Sequence, residues 1–366
     1  VARGQQPAVK RPRRSGRAAA APRRRPRALR GREPAEAVRI VAQGLLAAAE
    51  GAAARLAEPT DAEALHDFRV AMRRLRSWLR SFRAEVSDTV GGKLRRKLKA
   101  VVELTGAGRD AEVLRALLAA ERPGLAAAHR RAADALGERI AAGAPDPRAE
   151  AATAFAAVAP ALAKALSRYQ REVGRGRRAR FGDLAGAAVR GQGEALAAAL
   201  LAVEGPEDVE RAHRARIEAK RLRYLLEPLR DEAPAAAGAV KAMKRLQDLM
   251  GELHDVHVLT ARVAEGLADA ASRAALAQHA ALHASGELAA RTAARRSEGP
   301  GLAALDRRLR VRRDALYAAL ADGWLRGGEH LVSLLEVVKD VAAGMERRTP
   351  ARGTAASAVA SPAQVP

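Results

Sequence analysis

Apolar positions recur every three or four residues through nearly all of the chain from residue 35 to residue 344, which is the period of an amphipathic helix and not the alternation of a strand. In the first half this pattern predicts helices over 35–57, 61–84, 88–105, 110–121, 124–142 and 147–173. Breaks fall at Pro59, at Gly91 and Gly92, from Gly106 to Gly108, at Pro123 and Gly124, and from Pro145 to Pro147. A polar connector, GRGRRARFGD over 174–183, leads to a second series predicted over 184–203, 207–231, 235–250, 255–267, 269–295 and 302–344, punctuated by Pro206, Pro234 and Gly251. The expected fold class is all-α. Residues 1–34 and 346–366 lack any hydrophobic period and read as disordered tails, the first rich in Arg and Pro.

The two series repeat one another. HDFRVAMRRLR, starting at His66, returns 147 residues later as HRARIEAKRLR, starting at His213. Downstream, LTGAGRDAEVL over 104–114 returns as LMGELHDVHVL over 249–259, so that Gly106 matches Gly251, Asp110 matches Asp255, and Arg109 stands where the second copy has His254. The halves, about 35–173 and about 184–345, are expected to form two pseudo-symmetric helical bundles produced by an internal duplication.

At about 100° per residue, His66, Arg69, Arg73, Arg76 and Arg80 fall in one stripe of their helix, with Phe68, Met72, Leu75, Trp78, Leu79 and Phe82 on the other side. In the second copy His213, Arg216, Lys220 and Arg223 form the stripe, backed by Leu222, Leu225, Leu226 and Leu229. Arg74 and Arg221 sit beside the stripes at matched positions. The next helices add Arg96, Lys99 and Glu103 in the first half and Lys241, Lys244 and Asp248 in the second. Like charges at helical spacing cost a few tenths of a kcal/mol per pair, and a single such ridge would be read as a solvated face. Duplication of the whole constellation favours a binding role instead. Two facing cationic ridges repel, and an anion between them turns repulsion into attraction. Arg offers forked donors matched to phosphate oxygens and Lys a point charge, while the ridges carry no aromatic platform on which bases would stack.

These four segments, in this order and spacing, resemble the CHAD family, the conserved-histidine α-helical domain, over about residues 35–345. The resemblance implies a pair of helical bundles with long helices around a central basic cavity, and binding of inorganic polyphosphate without catalysis, often at polyphosphate granules. The candidate polyphosphate-binding residues are thus His66, Arg69, Arg73, Arg74, Arg76, Arg80, Arg96, Lys99, His213, Arg216, Lys220, Arg221, Arg223, Lys241 and Lys244. His66 and His213 read either as phosphate donors or as core histidines. Asp110 and Asp255 read as N-caps of the helices that follow them, or as partners of a ridge arginine. His254, Asp255 and His257 read as polar loop and helix-start residues and not as metal ligands; His129, His279, His283 and His330 have no partner motif.

Composition narrows the classes further. Ala and Leu dominate and aromatic residues are few, which favours helix. The formal net charge of +23 points to a polyanionic partner. Residues 1–34 hold twelve Arg or Lys and one Glu, so that about half of the excess lies in the tail. A second reading therefore has the protein bind nucleic acid through that tail. No Cys is present, so there is no disulfide, thiolate metal site or thiol nucleophile. No P-loop, Ser-His-Asp signature or acidic two-metal cluster is found, nor the Glu-x-Glu-x-Lys pattern of triphosphate tunnel enzymes. The expected protein is a non-enzymatic binding module with no cofactor and no metal. Its N-terminal tail does not read as a secretory signal and no continuous apolar run suggests a membrane span, so a cytoplasmic location is expected.

Overall fold

The computed structural model describes residues 29–61, 63–143, 146–169, 180–285 and 297–347, and among them every regular element is helical. The helices are α1 (Pro34–Ala54), α2 (Ala64–Ser81), α3 (Gly92–Leu104), α4 (Gly106–Glu121), α5 (Ala127–Ala142), α6 (Arg148–Ala156), α7 (Ala159–Ser167), α8 (Phe181–Leu201), α9 (Val209–Leu226), α10 (Ala235–Ser285), α11 (Gly299–Trp324) and α12 (Glu329–Glu346). Within the main core α1 packs on α2 and α8 on α9, and α2 and α9 pack on each other.

The buried side chains form two apolar clusters, and neither is confined to one half of the repeat. The larger joins α1, α2, α3, α6 and α7 to α8, α9, the first part of α10, and α12. At its centre Trp78 lies 4.5 Å from Phe82 and 6.2 Å from Phe181 between ring centroids, and its indole N–H donates to the Val38 carbonyl at 3.0 Å. The smaller joins α4 and α5 to the middle of α10 and α11, through Leu114, Leu118, Leu136, Val256, Leu259, Val263, Leu302, Leu305 and Leu309.

The helices depart from expectation in four places. Gly251 does not break the chain: the segments predicted over 235–250, 255–267 and 269–295 are joined, as far as Ser285, in α10. A lone glycine costs a helix only about 1 kcal/mol, and Met250, Glu252 and Leu253 around it are good helix formers, whereas the matched first-half segment has two glycines, Gly106 and Gly108, and turns at Thr105. The helix predicted over 302–344 is two helices, separated by a turn in which Arg326 (φ 51°) and Gly327 (φ 79°) adopt left-handed backbone. The helix predicted over 147–173 divides at Ala157 and Val158 into α6 and α7. The described structure also starts before residue 35: Leu29–Gly31 form a 3-10 turn, Leu29 is buried, its N–H donates to Glu232 at 2.7 Å, and the N–H of Phe181 donates to the Arg32 carbonyl at 2.9 Å. Gly182 lies where a Cβ would collide with the carbonyl oxygen of Met345 and crowd that of Arg30. The rest of the tails lies outside the described residues.

Two stretches, 34–57 and 148–167, are long and apolar enough to cross a membrane, each with mean hydropathy 1.3, against the expectation that none would be. Alanine explains it: no long run of large apolar residues is needed to reach that mean. In α1 one stripe of the stretch, Ala37, Val38, Ala42, Leu46 and Ala49, is buried in the larger core.

Candidate functional site

α2 and α9 carry the two ridges and pack against each other, and Arg73 of the first ridge lies close enough to Lys220 of the second to act on its charge, which marks the seam between the two helices. The apolar face of α2 is buried through Phe68, Met72, Leu75, Trp78 and Leu79, leaving Arg73, Arg74 and Arg76 half-buried beside it and His66 and Arg80 exposed at the ends. α9 repeats this with Leu222, Leu225 and Leu226 buried, Arg216, Lys220, Arg221 and Arg223 half-buried, and His213 exposed. Its start is fixed by Asp208, whose carboxylate accepts the N–H of Arg211 at 3.3 Å, an N-cap.

The electrostatic centre of the seam is Lys220. Burial pushes its amine down to about 7, and the guanidiniums of Arg216, Arg73 and Arg223 push the same way against the opposing carboxylate of Asp255. Arg73 comes from α2, in the first half of the repeat, and Arg216 and Arg223 from α9, in the second; the sequence-predicted ridges therefore converge on one amine. Arg76 is lowered by burial, with Arg80 and Arg73 adding and Glu103 of α3 opposing. His213 is lowered by burial and then by Arg216 and Lys220. His254 of α10 lies 5.0 Å from His213 between ring centroids, and burial, Arg216, His213 and Lys220 together hold it down to about 4. Arg76, His213, Lys220 and His254 are thus each pushed toward the uncharged form, first by burial and then by neighbouring cations that nearby negative charge does not offset.

Not all of the predicted bases face that deficit. Arg74 Nε lies 2.7 Å from Glu227, which also receives Arg223 at 3.4 Å, so that one carboxylate ties α2 to the end of α9. Arg221 is paired with Glu218, which also accepts a hydrogen bond from Gln192 of α8 at 2.7 Å. Arg69 is buried at 4 % exposure, and its guanidinium reaches the Gly106 carbonyl at 3.5 Å, bracing the turn between α3 and α4. By contrast, among the described residues no carboxylate lies within ion-pair distance of Arg73, Arg76, Arg80 or Lys220. The outer bases Arg96, Lys241 and Lys244 are exposed on α3 and α10, as is Lys99, which pairs with Glu103 at 3.0 Å.

The capping role expected of Asp255 is overturned: it lies inside the continuous α10, far from any helix start, and its carboxylate opposes the shift of Lys220. Asp110 is the fifth residue of α4, so it does not cap that helix, and its side chain lies outside the described residues. His257 does not head a helix either; its Nε2 meets the Pro206 carbonyl at 2.8 Å and so ties α10 to the loop before α9. Glu227 was missed by the sequence reading, although a signal was there: it is an acid at the position where the first copy of the repeat has Arg80.

A search of curated protein sequences gave no match. Among solved structures, the CHAD domain from the plant Ricinus communis is similar in fold, with a TM-score of 0.50 and 21% sequence identity over 84% of this chain and 92% of that one. The sequence profile of the CHAD domain matches residues 36–264, more than half of the chain and including both ridges. With its helices, its duplicated ridges and this match in agreement, the chain belongs to the CHAD domain family.

Proposed function

We propose that the protein binds inorganic polyphosphate, without catalysis, along the seam between α2 and α9, in the cytoplasm and in association with polyphosphate granules. The observation that supports this most is the cluster around Lys220, where Arg73 of one ridge and Arg216 and Arg223 of the other surround an amine that burial and repulsion hold half-deprotonated at neutral pH. A linear polyanion lying there supplies the missing negative charge along the seam. The reading assigns the central contacts to Arg73, Arg76, Arg216 and Lys220, and the approach of the chain to His66, Arg80, His213, Arg96, Lys99, Lys241 and Lys244. Arg69, Arg74, Arg221 and Arg223, engaged with carbonyl or carboxylate groups, hold the ridges in place.

Competition between long-chain polyphosphate and duplex DNA of equal charge tests this, using the protein without residues 1–28 beside its Arg73→Glu, Lys220→Glu double variant. The expected result is preferential binding of polyphosphate that collapses in the double variant. If about eight bases engage, by analogy with single-stranded nucleic acid the affinity falls by roughly three decades between 50 and 200 mM salt. Binding that disappears with the tail, or that favours neither polymer and ignores the double variant, would instead place the function in residues 1–28 acting on nucleic acid. Release of orthophosphate by the purified protein would contradict the non-catalytic reading.

A further inference from the structure

The last described turns of α10 expose most of their side chains. Ala270, 3% exposed, is the last residue of the helix that is buried in the core, and beyond it Leu276 and Leu282 are 71% and 53% exposed. From there to Ser285 the helix continues for about four turns, or about 22 Å. A helical stretch of that length is marginal in water on its own propensity, and this one is tied through Arg273, which reaches Glu298 at 3.1 Å.

On these turns His279 and His283 lie one turn apart, both exposed, with their Nε2 atoms 3.2 Å from each other and their ring centroids 4.5 Å apart. Two imidazole nitrogens bound to one ion at the usual ~2.0–2.1 Å are about 2.9 Å apart at a right angle and about 3.3 Å apart at a tetrahedral angle. The two Nε2 atoms share a hydrogen bond in the free protein, and with both rings in the Nδ1–H tautomer the same separation is the bite of a chelate. The helix fixes the i,i+4 spacing, so that little is lost in bringing the two donors together.

We propose that His279 and His283 bind one borderline divalent transition-metal ion, of the Zn2+, Ni2+ or Cu2+ class, and that the bound ion staples residues 271–285 of α10 in their helical form. Water fills the remaining coordination positions. Neutral imidazole suits these ions, whereas Mg2+ and Ca2+ require oxygen donors and are not retained. Because the ion binds the helical form of 271–285 and not its frayed form, binding shifts the helix–coil balance of this segment by mass action. The site is independent of the seam between α2 and α9, so it stands whether or not polyphosphate is the ligand there.

Titration of the full-length protein with NiCl2 at pH 7.5, followed by calorimetry and by hydrogen exchange of peptides spanning 271–285, tests the proposal. The wild type is expected to bind Ni2+ with slowed exchange in that segment, and both His279→Ala and His283→Ala to bind roughly ten-fold more weakly or worse, as a two-donor site does on losing one donor. MgCl2 is expected to have no effect. Both side chains are exposed, so the variants keep the fold. The proposal is overturned by a wild type that does not bind, by either variant binding with wild-type affinity, or by bound Ni2+ that leaves the exchange of 271–285 unchanged.

Discussion

Binding of a polyanion at the seam should draw in protons, and Lys220 makes the effect measurable near neutral pH. Its amine sits at about 7 in the free protein, so at pH 7 half of the molecules carry it uncharged. A bound phosphate chain replaces repulsion by Arg216, Arg73 and Arg223 with attraction, and returns the amine toward the ordinary lysine range. The expected uptake is therefore about half a proton per site at pH 7 from Lys220. The charged fraction of the free protein falls from about nine-tenths at pH 6 to about one-tenth at pH 8, so the affinity carried by this residue weakens roughly ten-fold over that interval. The lowered His213 and His254 add further uptake on the acid side. Titration calorimetry of tripolyphosphate in two buffers of different ionisation enthalpy reads the uptake directly. Lys220→Arg, which keeps its charge throughout, should remove the half proton while still binding. Zero uptake by the wild type at pH 7, or undiminished uptake in Lys220→Arg, would refute the reasoning. The free protein provides the complementary sign: since the unfolded chain holds a proton that the folded one has released, stability without ligand rises as pH climbs from about 7 toward the ordinary lysine value.

His254 gives the acid counterpart: its folded value of about 4 lies below the ordinary histidine value, so its contribution to stability is lost as pH falls from about 6.5 to 4, by about 1–3 kcal/mol. His254→Asn should flatten urea-unfolding stability across that window. Glu227→Gln should reduce stability by about 1–2 kcal/mol by removing the carboxylate shared by Arg74 and Arg223, and should at the same time tighten anion binding; unchanged denaturation would remove Glu227 from its bridging role. Gly328→Ala brings a Cβ to 2.5 Å from the Gly323 carbonyl carbon and should lower the melting temperature by several degrees, while Gly31→Ala, with nothing within 4 Å, should leave it unchanged.

Most of the helical architecture was legible because period and propensity agree: α2 and α9 bury the apolar faces that their spacing marks. Two of the departures fell where glycine had to be interpreted. Gly251 looks like Gly106 in the repeat, yet its neighbours favour helix and it stays inside α10, while the paired Gly327 and Gly328 were a real stop signal within a run that otherwise looks continuous. At the candidate site, periodicity placed the bases on common faces and duplication paired the faces. What periodicity does not encode is which bases are neutralised. Arg74 and Arg221 are partnered by Glu227 and Glu218, and the first of these partners is visible only as a mismatch between the two copies. Arg69 is buried because its helical position also borders the turn between α3 and α4, a long-range fact absent from the local pattern.

Gly182 lies beside both the first and the last described segments of the chain, with the carbonyl of Arg30 on one side and that of Met345 on the other. The beginning and end of the body are thus near neighbours in space, and any segments attached to them start from a common point. A circular permutant, with residues 29 and 347 joined by a short linker and new ends opened in the 174–183 connector, should fold without rearranging either ridge.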